Sequence, residues 1–159
     1  MDLWLSVSVV LLSAAATAFA GWELRENVRD RREARRVETE GVAVTWQPKI
    51  RPNHADASGG AIWTYVVEAQ NPGRLPIRNV TVVLKFPIEV RRAHYDDKLD
   101  PSVRELRLGA PALLGGGSRT WRRKLRVPFA SRGRLREIQG YITFTDADGV
   151  TRTNHMGDR

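Results

Sequence analysis

Residues 65–86, YVVEAQNPGRLPIRNVTVVLKF, decide the fold. The stretch opens on alternation, with Tyr65, Val67 and Ala69 in phase with Trp63 just upstream and Val66, Glu68 and Gln70 between them. Successive side chains of a strand point to opposite faces, so a period of two predicts a half-buried strand. Asn71, Pro72, Gly73 and Pro76 then break the pattern, as residues that favour turns do. Alternation resumes in TVVLKF, where Val80, Val82, Leu84 and Phe86 point one way.

The same period extends in both directions. Val42, Val44 and Trp46 alternate with Ala43, Thr45 and Gln47, and the polar run PKIRPNHADASGG that follows reads as a loop. Further strands are predicted at Glu89–His94, Arg104–Leu108, Arg119–Val127, Ile138–Thr145 and Val150–Thr153. The last two form a predicted hairpin closed by Asp146-Ala147-Asp148-Gly149. No helix-period segment separates these strands, which excludes a βαβ arrangement. The pattern predicts an antiparallel β-sandwich over residues 41–159, and a small OB-like barrel shares the same periodicity.

The stretch Tyr65–Phe86 resembles the central strand pair of bacterial immunoglobulin-like domains. In those, a strand ending in Asn-x-Gly leads through a short connection into an Asn-Val-x-Val-x-Leu strand, here Asn71 to Gly73 and then Asn79 to Leu84. The whole layout is similar to that of uncharacterised single-pass proteins of actinobacteria, with an anchor, a charged stalk and a β-domain. The resemblance implies an immunoglobulin-like fold and no activity.

The anchor, residues 1–22, is read from the run 3–22, LWLSVSVVLLSAAATAFAGW, which carries no charge. A helix of that length spans ~30 Å, about one hydrocarbon thickness. Trp4 and Trp22 bracket it, as interfacial aromatics do. The six arginines at 25, 29, 31, 32, 35 and 36 all follow the apolar run, and the preceding Met1-Asp2 holds no positive charge. The positive-inside rule then predicts an N-terminus outside and a C-terminal domain in the cytosol. Ala18-Phe19-Ala20 is the competing signal, a small-x-small triplet whose cleavage would release a secreted domain. Residues 23–40 read as a charged juxtamembrane helix, free of Gly and Pro, with six acids balancing the six arginines.

The chain of 159 residues is 42% hydrophobic, enough for one core, and its net charge is +8. It has no cysteine, which excludes disulfides, thiolate metal sites and a thiol nucleophile. Arginine outnumbers lysine 22 to 4, the usage of a GC-rich bacterial genome. His54, His94 and His155 show no metal-ligand spacing. Asp96, Asp97 and Asp100 lack the regular spacing and glycine of a calcium loop, and the hairpin turn accounts for Asp146 and Asp148. No nucleophile elbow, dinucleotide fingerprint or phosphate loop occurs, so neither a cofactor nor catalysis is expected. Asn79-Val80-Thr81 matches a glycosylation sequon, discounted for a domain placed in the bacterial cytosol.

The one concentrated signal is basic. Arg119, Arg122, Arg123, Lys124, Arg126, Arg132, Arg134 and Arg136 fall within eighteen residues. Alternation puts Arg122, Lys124 and Arg126 on one face and Trp121, Leu125 and Val127 on the other, with Arg123 intruding on the apolar side. An inward charge of that kind marks a protected edge strand. The remaining basic residues suit an anionic contact surface, for inner-leaflet lipid or an acidic protein partner. Nucleic acid is disfavoured, because Trp121, the candidate for base stacking among them, is in the inward phase. The sequence thus predicts a membrane-tethered, non-catalytic binding module with a cytosolic β-sandwich. The alternative is a surface-exposed or secreted binding domain cut after Ala20.

Overall fold

The computed structural model describes residues 38–156 except Asp97, together with Trp22, Arg25, Glu26, Val28 and Arg29, which are helical. Apart from Trp22, the predicted anchor lies outside the described residues, as does most of the predicted stalk. Among the described residues no helix is long and apolar enough to cross a membrane. Residues Glu38–Arg159 form a compact unit of their own.

That unit is mainly β, with strands β1 (Ala43–Ile50), β2 (Gly60–Gln70), β3 (Ile77–Ala93), β4 (Val103–Leu113), β5 (Ser118–Pro128), β6 (Gln139–Thr145) and β7 (Thr151–Met156). A 3₁₀ segment, Phe129–Glu137, links β5 to β6. Every ladder is antiparallel. The strands join in the order β1-β2-β5-β3-β6-β7, with β4 also on β3, so a single sheet curls upon itself in a sandwich-like arrangement.

β3 is the pivot. Its first half, Ile77 to Lys85, runs between β4 and β6, whereas Arg91–Ala93 pair with β5. The ladder to β4 shifts register between Lys85 and Val90, and Pro87 falls in that gap. Proline has no amide hydrogen to give a ladder, so it sits where the strand changes partners. The sequence pattern predicts two strands here, ending and restarting around Pro87. The structure instead has one strand of 17 residues that bends from one half of the sheet to the other.

The predicted inward phases hold. Val42 and Val44, then Trp63, Tyr65, Val67 and Ala69, then Val80, Val82, Leu84 and Phe86 are all buried, and they meet Leu125, Val127, Ile142 and Phe144 in one core. The predicted 48–60 loop is shorter than its composition suggests. β1 carries on through Pro48 and Lys49 to Ile50 by way of a register shift, which an edge strand tolerates.

Two polar side chains fasten the connections. Asn71 is buried, and its Nδ2 donates to the carbonyls of Leu75, Leu113 and Leu114 at 2.9, 3.3 and 3.1 Å. Its Oδ1 accepts from the Gly73 amide, so one side chain closes the β2–β3 connection onto the end of β4. Asp146 closes the predicted β6–β7 hairpin, accepting from the amides of Asp148 and Val150 and from Arg152 Nε at 2.6 Å. Gly149 has a φ of 80°, a conformation that glycine reaches without steric cost.

Candidate functional site

The basic segment divides into three groups with different surroundings. On β5, Arg122 is exposed and lies opposite Val66, while Lys124 lies opposite Thr64 of β2 and Ala93 of β3. Neither has a carboxylate partner among the described residues. Lys124 instead places its ammonium 5.0 Å from the ring centre of Tyr95, a side chain 90% exposed. Arg119 is exposed too, but alternation puts it in phase with Trp121, on the other side of the strand from Arg122.

Arg126 differs from its strand neighbours. Its guanidinium clasps Asp56 at 2.7 and 2.9 Å and also donates to Ser58 Oγ, leaving the side chain only 20% exposed. Ser58 and Arg126, helped by the amides of Gly60 and Ser58, hold the Asp56 carboxyl well below the usual carboxylate range. Gly60 makes this possible, because a Cβ there would collide with the guanidinium. Arg126 thus pins the β1–β2 loop and is not a free surface charge.

Arg123 lies opposite the buried Tyr65, on the inner side of the sheet. Burial, then repulsion from Arg92, lowers its pKa, and its Nε has no hydrogen-bond partner among the described residues. The edge-strand reading holds for only part of β5. β3 pairs with Lys124 to Arg126, and Ser118 to Arg123 are laddered on the β2 side alone. The inward arginine therefore stands where the open edge begins, the place at which a charge blocks a further strand.

The third group comes from the 3₁₀ segment. Arg134 faces Glu137 at 3.6 Å. Arg132 and Arg136, in contrast, join Arg51 at the rim of a pocket of about 410 Å³ between the inner side of β1–β2 and the 3₁₀ segment, walled by Trp46, Trp63 and Tyr65. Arg132 is steadied by Phe129, whose ring lies 4.2 Å from the guanidinium carbon and whose carbonyl accepts from Nη1. Burial, opposed by the Arg51 charge, pushes the Tyr65 phenol up to about 12. Trp63 is only 8% exposed, and its Nε1–H has no acceptor among the described residues. The pocket lining contains no carboxylate, histidine, serine or threonine.

Sequence reasoning reached Arg132 and Arg136 by composition but assigned them to the same surface as β5. It missed Arg51, read as part of a polar loop, and took Trp63 and Tyr65 solely as core. The acidic loop residues do not converge: Asp100 Oδ1 lies 2.8 Å from His94 Nε2, and Asp96 pairs with Lys98. No cluster of three metal-ligating side chains occurs among the described residues.

No protein-family model matches the chain, and no curated protein matches it in sequence. Among solved structures, it is similar to a putative ApaA protein from Bordetella pertussis, at 15% identity over 72% of this chain and 87% of that one, with a TM-score of 0.44. It is also similar to the sporulation control protein Spo0M of Bacillus subtilis, at 11% identity over 72% of this chain and 47% of that one, with a TM-score of 0.36. A third similarity, to an exo-β-N-acetylglucosaminidase from Vibrio harveyi, is 10% identical and covers 72% of this chain but 17% of that enzyme, with a TM-score of 0.43.

Proposed function

We propose that this chain is a membrane-tethered binding module: residues 1–22 anchor it, residues 23–40 form a stalk, and an immunoglobulin-like β-sandwich over residues 41–159 faces the cytosol and contacts anionic lipid or an acidic protein. The observation that carries this reading is the pair Arg122 and Lys124 on β5, without carboxylate partners among the described residues and beside the exposed ring of Tyr95. A juxtamembrane basic residue near an anionic inner leaflet gains about 1 kcal/mol. A binding role in preference to catalysis is supported by the pocket chemistry. Burial pushes the Tyr65 phenol up to about 12, which removes it as a proton carrier near neutrality, and the lining holds no carboxylate or histidine.

Topology is tested with a reporter fused after Arg159 of the full chain, which should behave as cytoplasmic while the chain sediments with membranes. Soluble mature protein beginning at Gly21 would overturn the tether and favour the secreted reading. The contact surface is tested in the full chain with Arg122→Glu and Lys124→Glu together. Arg126 is left unchanged, because glutamate there would face Asp56 and release the loop it holds. The double variant should keep its fold and lose recruitment of anionic vesicles to chain held in zwitterionic nanodiscs, with wild-type recruitment falling as salt rises. Equal recruitment by the variant would show that these charges form only a solvated face.

A further inference from the structure

We infer that the pocket between β1–β2 and the 3₁₀ segment is a binding site for a small planar aromatic anion, a carboxylate or phosphate ester with a flat apolar body. The inference stands apart from the lipid-contact reading, because it uses none of the β5 surface residues. Three observations meet here. The volume, about 410 Å³, falls within the range of small-molecule sites. The walls are aromatic, formed by Trp46, Trp63 and Tyr65, and the half-buried Trp46 leaves indole surface on which a planar body stacks. The rim carries Arg51, Arg132 and Arg136 with no carboxylate in the lining, an uncompensated positive field that favours an anion.

The same wall holds one unpaired donor, the buried indole Nε1–H of Trp63. Buried polar groups in folded proteins are nearly always hydrogen-bonded, and leaving one unpaired costs stability. This donor, on a residue that lines the pocket, has no acceptor among the described residues. The atom is sealed from the open cavity, so an oxygen of the ligand reaches it only if the wall shifts on binding. The Tyr65 phenol, kept protonated by burial, remains neutral at the same site, so no negative charge of the protein opposes the ligand.

The test is calorimetric titration of the full chain in zwitterionic nanodiscs with 2-naphthoate, 2-naphthyl phosphate, neutral 2-naphthylmethanol and inorganic phosphate, against empty nanodiscs. At least one naphthyl anion should bind with a Kd below about 1 mM, and the two anions together tell carboxylate from phosphate preference. Arg132→Gln with Arg136→Gln, both at exposed positions that tolerate substitution, should weaken it about tenfold or more. Arg51→Gln should weaken it independently, and Arg122→Glu with Lys124→Glu should leave it unchanged. The proposal is overturned if neither naphthyl anion binds, if the neutral alcohol binds as tightly as the anions, if inorganic phosphate alone matches them, or if the arginine variants bind like wild type. None of these results bears on vesicle recruitment, so the two readings fail separately.

Discussion

Gly140 of β6 leaves the space that the indole of Trp46 of β1 occupies. A Cβ at position 140 would lie 2.5 Å from Trp46 Cζ3 and 3.0 Å from Leu84 Cδ2. The two halves of the curled sheet therefore touch through a large side chain on one and a missing side chain on the other. Neither neighbour can yield easily, since Leu84 is fully buried and Trp46 is packed against the core.

Gly140→Ala should accordingly destabilise the domain by about 1–3 kcal/mol, as overpacking does. Urea unfolding followed by tryptophan fluorescence checks this. Adding Trp46→Leu should recover part of the loss, and strict additivity of the two changes would show that the contact is not what Gly140 serves.

Asn71 is the most deeply buried polar residue among those described, at 2% exposure. Asn71→Ala leaves the carbonyls of Leu75, Leu113 and Leu114 and the amide of Gly73 without this partner, and should cost about 2–4 kcal/mol. Asn71→Asp should be no milder, because a carboxylate would meet three carbonyl oxygens. A thermal melt in which aspartate restores wild-type stability would contradict the assigned amide orientation.

The alkaline limb of stability should belong to Tyr65. Its folded pKa, about 12, lies above the ordinary phenol value of 10.0, so the folded state binds this proton more tightly than the unfolded chain does. The contribution is complete below pH 10 and is lost as pH rises toward 12. Phenolate absorbance should show a late step that Tyr65→Phe removes, and the variant's stability should fall less over that interval.

The acid limb should show the opposite sign at Asp146. Burial acts to raise its pKa, but the bond from Arg152 and those from the Val150 and Asp148 amides outweigh it and set the value below the ordinary one. Its contribution is present above the unfolded carboxylate pKa of about 4 and is lost as pH falls through the lower folded value. Asp146→Asn should flatten denaturation curves recorded at falling pH, and an unchanged acid limb would assign that limb to other carboxylates.

Residues 38–159 should fold without the segment before them, since they contain a complete core. Circular dichroism should be β-dominated with cooperative melting. Trp63→Ala should cost about 3–5 kcal/mol. A disordered spectrum for the isolated domain would mean that the preceding residues are part of the core.

The sequence by itself determined the strand phases and the antiparallel class, because alternation at Trp63 to Ala69 and Val80 to Phe86 reflects a burial pattern imposed residue by residue along one strand. It likewise determined the hairpin at Asp146 to Gly149, whose turn chemistry is local. Tertiary structure alone decided where β3 changes partners, since a proline can as readily end a strand as bend one, and the pairing of Arg91–Ala93 with β5 depends on residues more than thirty positions away. It also decided the fate of each charge. Eight basic residues look equivalent in composition, yet Arg126 is bound to Asp56, Arg123 is turned inward, and Arg132 and Arg136 meet Arg51 around aromatic walls. A side chain's electrostatic role is set by which distant groups the fold places beside it, and no periodicity along the chain encodes that.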